Sequence, residues 1–325
     1  MPVPELPPPD DQGSNIGVMV QGPVAGKGVS DRSQAWSAAD CVRSVRAILP
    51  EARIILSTWK GSDLTGIECD EIIENPDPGI IYNATGCVHN FTRQMESTRA
   101  GLRALAGVRP YAIKMRTDML LTGRGFLRQF QAHRARAKEF QVLEDRIVGF
   151  MYFTRHLRRG YFLFCWSDLI HFGRTADLLR LWDIPCFPVY PKTDKESGKT
   201  LMWTDLNLLP EQYIWSQLFR DQLDISQFRD VTHRSPHLDA AHDLALINNF
   251  LPLEPATFGT RWVGRKIHIK RQMNTFTEGE IEGLYRKVCD PGHTRMKSWN
   301  WRRAGKEALF AVARVKDRLS GKAPQ

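Results

Sequence analysis

Apolar residues fall into two alternating patterns along the first third of the chain. Short runs such as Ile16-Gly17-Val18-Met19-Val20-Gln21, Arg53-Ile54-Ile55-Leu56-Ser57, Asp70-Glu71-Ile72-Ile73-Glu74 and Tyr111-Ala112-Ile113-Lys114-Met115-Arg116 read as strands. Between them apolar positions return every three or four residues. Ala38, Val42, Val45 and Leu49 mark a helix over 31–49, with Asp31 as its N-cap and Pro50 as its stop, and a second helix covers 88–106. Strands alternating with helices predict an α/β fold, a mostly parallel sheet with helices on both faces. The second half is less regular. Residues 123–160 read as helix and loop, 174–182 as a short helix and 186–209 as an irregular insertion. Pro210 opens a helix with Glu211 in its first turn. Helices are also expected over 276–288 and 302–319. No apolar run approaches the ~18 residues that a membrane-spanning helix needs.

Charge changes this picture at one end only. The 325 residues carry a net charge of +9, yet residues 261–325 alone hold 16 Lys plus Arg against 6 Asp plus Glu. The remainder is nearly neutral, so the basic character points to a local anionic partner. Zinc-ligand spacings and RNP-like motifs are missing, which argues against nucleic acid. In the basic stretch Ala308, Val312, Val315 and Leu319 form an apolar stripe. Arg303, Lys306, Arg314 and Arg318 lie off it, and Trp299 and Trp301 precede it. A helix over 299–319 of this kind either lies on an anionic bilayer or docks on the protein's own surface. Residues 1–14, rich in Pro and lacking a basic and apolar leader, read as a disordered tail and not a secretory signal. The six cysteines form no CxxC pair and are expected as free thiols in a cytoplasmic protein.

Ligands of an open parallel sheet bind beyond the carboxyl ends of its strands. The residues there are Gln21, Gly22 and Pro23, then Ser57, Thr58, Trp59 and Lys60, then Asp77, Pro78 and Gly79, then Arg116, Thr117 and Asp118. The list is polar, charged and small, as a nucleotide pocket requires. Asn90, Gln94, Ser97 and Gly101 share one face of the second helix, with Arg93 and Thr98 at its flanks. That stripe meets a ligand, a closely packed backbone or solvent. Asp118, close to Lys114 and Arg116, suits either a divalent cation that neutralises a diphosphate or an ion pair at a strand end.

Several short motifs occur in an order that resembles the WavE-type lipopolysaccharide synthesis family. They are Val20-Gln21-Gly22-Pro23, Ile55-Leu56-Ser57-Thr58-Trp59, Asp77-Pro78-Gly79, Asn90 with Arg93-Gln94, Ser97-Thr98-Arg99-Ala100-Gly101-Leu102 and Lys114-Met115-Arg116-Thr117-Asp118. Ser167-Asp168, Phe172-Gly173, Leu181-Trp182 and Pro210-Glu211-Gln212-Tyr213 follow, so the resemblance spans roughly 16–220. It implies a GT-A-like glycosyltransferase that moves a sugar from a nucleotide-sugar donor to lipopolysaccharide or another lipid-linked saccharide. Such an enzyme would work at the inner face of the cytoplasmic membrane. Arg116-Thr117-Asp118 stands where GT-A enzymes place Asp-x-Asp, with Arg116 in place of the first carboxylate. The implied metal ligands are Asp118 and a late histidine, His233, holding Mg²⁺ or Mn²⁺. The implied base is Glu211 or Asp168. The expected division is a tail over 1–14, a transferase domain over 15–260 and a basic helical extension over 261–325. Two other classes stay open, a sugar nucleotidyltransferase with the Gly-rich stretch 21–28 as its phosphate loop, and a non-catalytic scaffold of the same pathway.

Overall fold

The computed structural model describes residues 6–27, 35–160, 162–193, 198, 200–226, 228–263, 274–293, 308 and 312. The chain opens with β1 (Ile16–Gln21), a β2–β3 hairpin (Ala25–Lys27 with Ala35–Ser37), α1 (Ala38–Ile48), β4 (Arg53–Trp59) and β5 (Glu71–Asn75). Short strands β6 (Ile81–Tyr82) and β7 (Val88–His89) lead into α2 (Phe91–Leu105), β8 (Tyr111–Arg116), β9 (Met119–Leu121) and α3 (Gly125–Ala132). Then come β10 (Ile147–Phe150), α4 (Leu157–Gly160), β11 (His171–Arg174), α5 (Thr175–Trp182), β12 (Tyr190–Thr193), β13 (Thr200–Trp203) and α6 (Pro210–Leu218). The described chain continues through α7 (Pro236–Asn249), β14 (Phe250–Leu253), α8 (Pro255–Phe258), β15 (Thr260–Trp262) and α9 (Glu278–Val288).

The main sheet has seven strands in the order β14-β10-β11-β8-β1-β4-β5. β1 runs parallel to both β4 and β8, β4 is parallel to β5, and β10 to β14. Only β11 is antiparallel to its two neighbours. From β1 the chain moves outward to β4 and β5, then returns through α2 to β8 on the other side of β1. This reversal puts α1 and α2 on opposite faces when both crossovers are right-handed, and opens a crevice at the carboxyl ends of β1 and β8.

All six residues of β1 are buried, as a central parallel strand covered on both faces requires. The pleat sends Gly17, Met19 and Gln21 toward α2. A Cβ on Gly17 would run into Leu105, and one on Gly101 would come within 2.1 Å of Met19 Cγ. The glycine in the α2 stripe is therefore a close-approach position, not a ligand contact.

Four expectations change. α1 begins at Ala38, where Ser37 caps the helix by accepting from the Asp40 amide; Asp31, the expected cap, lies outside the described residues. β10 is a strand inside the stretch 123–160 expected as helix and loop, and β11 takes in Arg174, expected to begin a helix. The 186–209 insertion supplies β12 and β13 of a four-stranded sheet with β6 and β7. Residues 6–14, expected as disordered, lie against the fold: Tyr111 donates to the Pro7 carbonyl at 3.0 Å and Asn15 to that of Pro8 at 2.8 Å.

β15 pairs with β9, and α9 packs on α7 and β14. The helix expected over 302–319 falls outside the described residues except Ala308 and Val312, which are helical and exposed. Among the described residues no helix is long and apolar enough to cross a membrane.

Candidate functional site

A cleft of about 390 Å³ opens at the crevice. Its walls are Gln21, Gly22, Pro23, Trp36, Trp59, Asp77, Asn90, Arg93, Gln94, Arg116 and Thr117. These residues come from the ends of β1, β4 and β8, the loop after β5, the first turn of α2 and strand β3. In-register pairing sets Gln21 beside both Ser57 and Arg116, so strand ends far apart in sequence finish level. Gly22 adopts φ 125° and its amide donates to the Ser57 carbonyl at 3.2 Å. A Cβ there would also meet Thr117 Oγ1 at 3.0 Å.

Most residues expected from the strand ends thus share one wall; Ser57, Thr58, Lys60, Pro78, Gly79 and Asp118 do not line it, and neither does Lys114. Ser57 and Thr58 are buried behind it, Ser57 accepting from the Asn75 side chain at 2.9 Å. Lys114 is fully buried, with its ammonium 4.5 Å over the Trp182 ring and donating to the carbonyls of Asp168 and Leu169. Burial draws its pKa down to about 7 against the opposing pull of Asp168. It therefore props the Asp168 loop and does not face the cleft. Thr117, expected from the strand ends, lines the cleft, whereas Trp36 was not among the expected residues. Trp36 had been read into a helix; the Ser37-x-x-Asp40 capping pattern was the signal that would have released it.

The polar stripe of α2 divides by position. Asn90, Arg93 and Gln94 line the cleft. Arg93 grips Asp77 through Nε and Nη2 at 2.7 and 2.6 Å and donates to Asn90 at 3.1 Å. The Arg93 bond holds Asp77 below the usual carboxylate range. One turn on, Ser97 donates to Gln21 Oε1 at 3.0 Å.

Arg116 donates through Nε and Nη2 to the two oxygens of Asp118, both at 2.9 Å, and Trp262 Nε1 donates to Oδ2 at 2.9 Å. Burial works against the Asp118 charge, but Arg116 and Trp262 outweigh it and hold the carboxyl below its usual range. Both Asp118 oxygens are thus taken by N–H donors. His233 sits in the turn before α7, its ring against Phe228. Among the described residues neither belongs to a converging set of metal-type side chains. The donor set at Asp118 and His233 does not fit a resident Mg²⁺ or Mn²⁺.

Behind Gln94 lies a carboxylate pair. Gln94 Nε2 donates to Asp168 Oδ2 at 2.7 Å, and Asp168 is 7% exposed. Burial, reinforced by the charge of Asp168, pushes Glu211 up to about 8. The loop that carries Asp168 leaves a left-handed Phe164, φ 51°, an uncommon conformation for a bulky residue.

Fold and cleft define the class: an open-sheet α/β protein with a polar, aromatic-flanked crevice at its topological switch point. A model of the WavE lipopolysaccharide synthesis family matches residues 16–312, and the chain belongs to that family. The match runs well past residue 220, where the short motifs end, and takes in most of the basic stretch. Membership ties the protein to lipopolysaccharide synthesis and to saccharide partners in general. No curated protein matches the chain.

Proposed function

We propose that the protein is a glycosyltransferase that takes a nucleotide-sugar donor in this cleft and passes the sugar to a growing lipopolysaccharide or lipid-linked saccharide. The observation that carries this reading is a single crevice at the switch point that joins two indoles, Trp36 and Trp59, to the Arg116 guanidinium. The base of the donor stacks against the indoles, a contact worth about 1–3 kcal/mol per aromatic. Arg116, aimed by its fork on Asp118, neutralises the departing diphosphate in place of a metal.

The acceptor hydroxyl arrives beyond Gln94. Burial and the charge of Asp168 favour the protonated form of Glu211, and Asp168, held by Gln94 at the cleft wall, is the member that takes the acceptor's proton. Two carboxyls with different environments thus take different roles.

Calorimetry with a panel of nucleoside diphosphates and their sugars, with and without Mg²⁺ or Mn²⁺, tests the reading. One nucleotide should bind without metal and lose at least ~10-fold affinity in Arg116→Met. Binding that depends on metal and vanishes in Asp118→Asn would overturn the role given to Arg116. Binding of no nucleotide would overturn the transferase reading and leave the scaffold.

A further inference from the structure

Away from the cleft, at the foot of the basic C-terminal stretch, three side chains converge. His133 caps the end of α3, Glu282 lies on α9, and His293 ends the turn that follows α9. One ligand atom from each lies within 4.8 Å of the others. We infer that His133, Glu282 and His293 form a binding site for one divalent metal ion of the zinc class.

With His133 neutral, its ring cannot serve every acceptor around it. His133 Nδ1 lies 3.0 Å from the Gln129 carbonyl, which can only accept, and Nε2 lies 3.0 Å from Glu282 Oε1. A neutral imidazole has one N–H for these two acceptors. Glu282 Oε2 is buried and makes no hydrogen bond, although His293 Nε2 is 3.2 Å away. A buried acceptor left without a donor is costly. A metal between the three accepts a lone pair from each imidazole and from the carboxylate. Ligand atoms bound to zinc at ~2.0–2.1 Å stand roughly 3.3–3.4 Å apart in a tetrahedron, close to the two nitrogen–oxygen spacings here.

The surroundings resemble those of a metal site. The Gln129 carbonyl fixes the tautomer of His133 with Nε2 left as the ligand, and Asp290 Oδ2 stands 4.0 Å from His293 Nδ1. Tyr285 packs edge-on to both imidazoles. Arg146, whose guanidinium lies 4.9 Å over the Tyr285 ring, directs its N–H groups to the carbonyls of Ile247, His133 and Ala135 and to Cys289 Sγ. Two nitrogens and one carboxylate favour zinc over Mg²⁺ or Ca²⁺, which take oxygen ligands. His293 and Glu282 are 17% and 25% exposed, so water can fill the fourth position. The ion would staple α9 and the turn after it, the root of the basic stretch, to α3.

The test uses the full chain without a polyhistidine tag. Elemental analysis should find one zinc per chain, or chelator-stripped protein should take up one equivalent with a rise in Tm. X-ray absorption should show nitrogen and oxygen neighbours at ~2.0–2.1 Å. His133 is buried and its loss endangers folding, so the decisive variant is the more exposed His293→Ala. It should keep the fold and lose at least ~10-fold in zinc affinity, and Glu282→Gln should also bind more weakly. A chain that holds no zinc and shows no zinc-dependent Tm overturns the site, as does unchanged affinity in His293→Ala. Nucleotide binding in the cleft is measured on the same samples and does not depend on the outcome.

Discussion

Glu211 and Asp168 make opposite predictions although both are carboxylates. On the proposed assignment Asp168→Asn removes the proton acceptor and should lower kcat by about 10²–10⁴-fold. Glu211→Gln imitates the protonated side chain and should keep kcat within about 10-fold of the wild type. Equal losses in steady-state kinetics would reverse or abolish this assignment. Glu211 also shapes stability. Its pKa rises from an ordinary 4.5 to about 8 on folding, so between those values the folded state binds more protons than the unfolded one. Its contribution is intact below about 4.5 and is lost as pH climbs through about 8. Urea midpoints measured across that window should fall with pH, and less steeply in Glu211→Gln. Lys114 has the opposite sign: its pKa drops from 10.5 to about 7, so its share of stability rises with pH between those values.

Two elements place the cleft. The β2–β3 hairpin carries Trp36 over Gly26, where any Cβ would strike the indole. Trp36→Ala should leave the sheet intact and weaken nucleotide binding by roughly 10–100-fold, the loss of one stacked aromatic. α2 has a double task. Its first turn lines the cleft, and Gly101 two turns later lets the helix approach Met19 of β1. Gly101→Ala should cost about 1–3 kcal/mol through overpacking, visible as a lower Tm. Nucleotide affinity should fall with it, because tilting α2 moves Gln94 and breaks the Ser97–Gln21 bond.

For the whole molecule, the excess positive charge lies in the terminal stretch, while the described fold holds its arginines mostly in pairs such as Arg93–Asp77, Arg116–Asp118 and Arg159–Glu280. Deleting residues 300–325 should therefore lower retention on anionic liposomes at low salt and leave nucleotide binding unchanged. Retention equal to that of the full chain would remove the membrane role from this stretch. All six cysteines are free, with Cys41 and Cys165 buried and Cys87 exposed.

Periodicity alone specified β1, β4, β5 and β8, the helices between them and the parallel arrangement. A buried strand and an amphipathic helix impose different repeats on the chain, and both repeats are local. The strand-end rule then located the cleft without any side-chain geometry, because in-register parallel strands end together. Short polar-flanked strands such as β10 and β11 escaped, since their burial comes from neighbours distant in sequence. Tertiary structure alone decided that Lys114 turns inward to the Asp168 carbonyl and that Asp118 is engaged by Arg116 and Trp262. It also brought Asp168, Glu211 and Gln94 together, and His133, Glu282 and His293. Each of these depends on which side chains meet across the fold, and a pairing over tens or hundreds of residues leaves no periodic trace in one sequence.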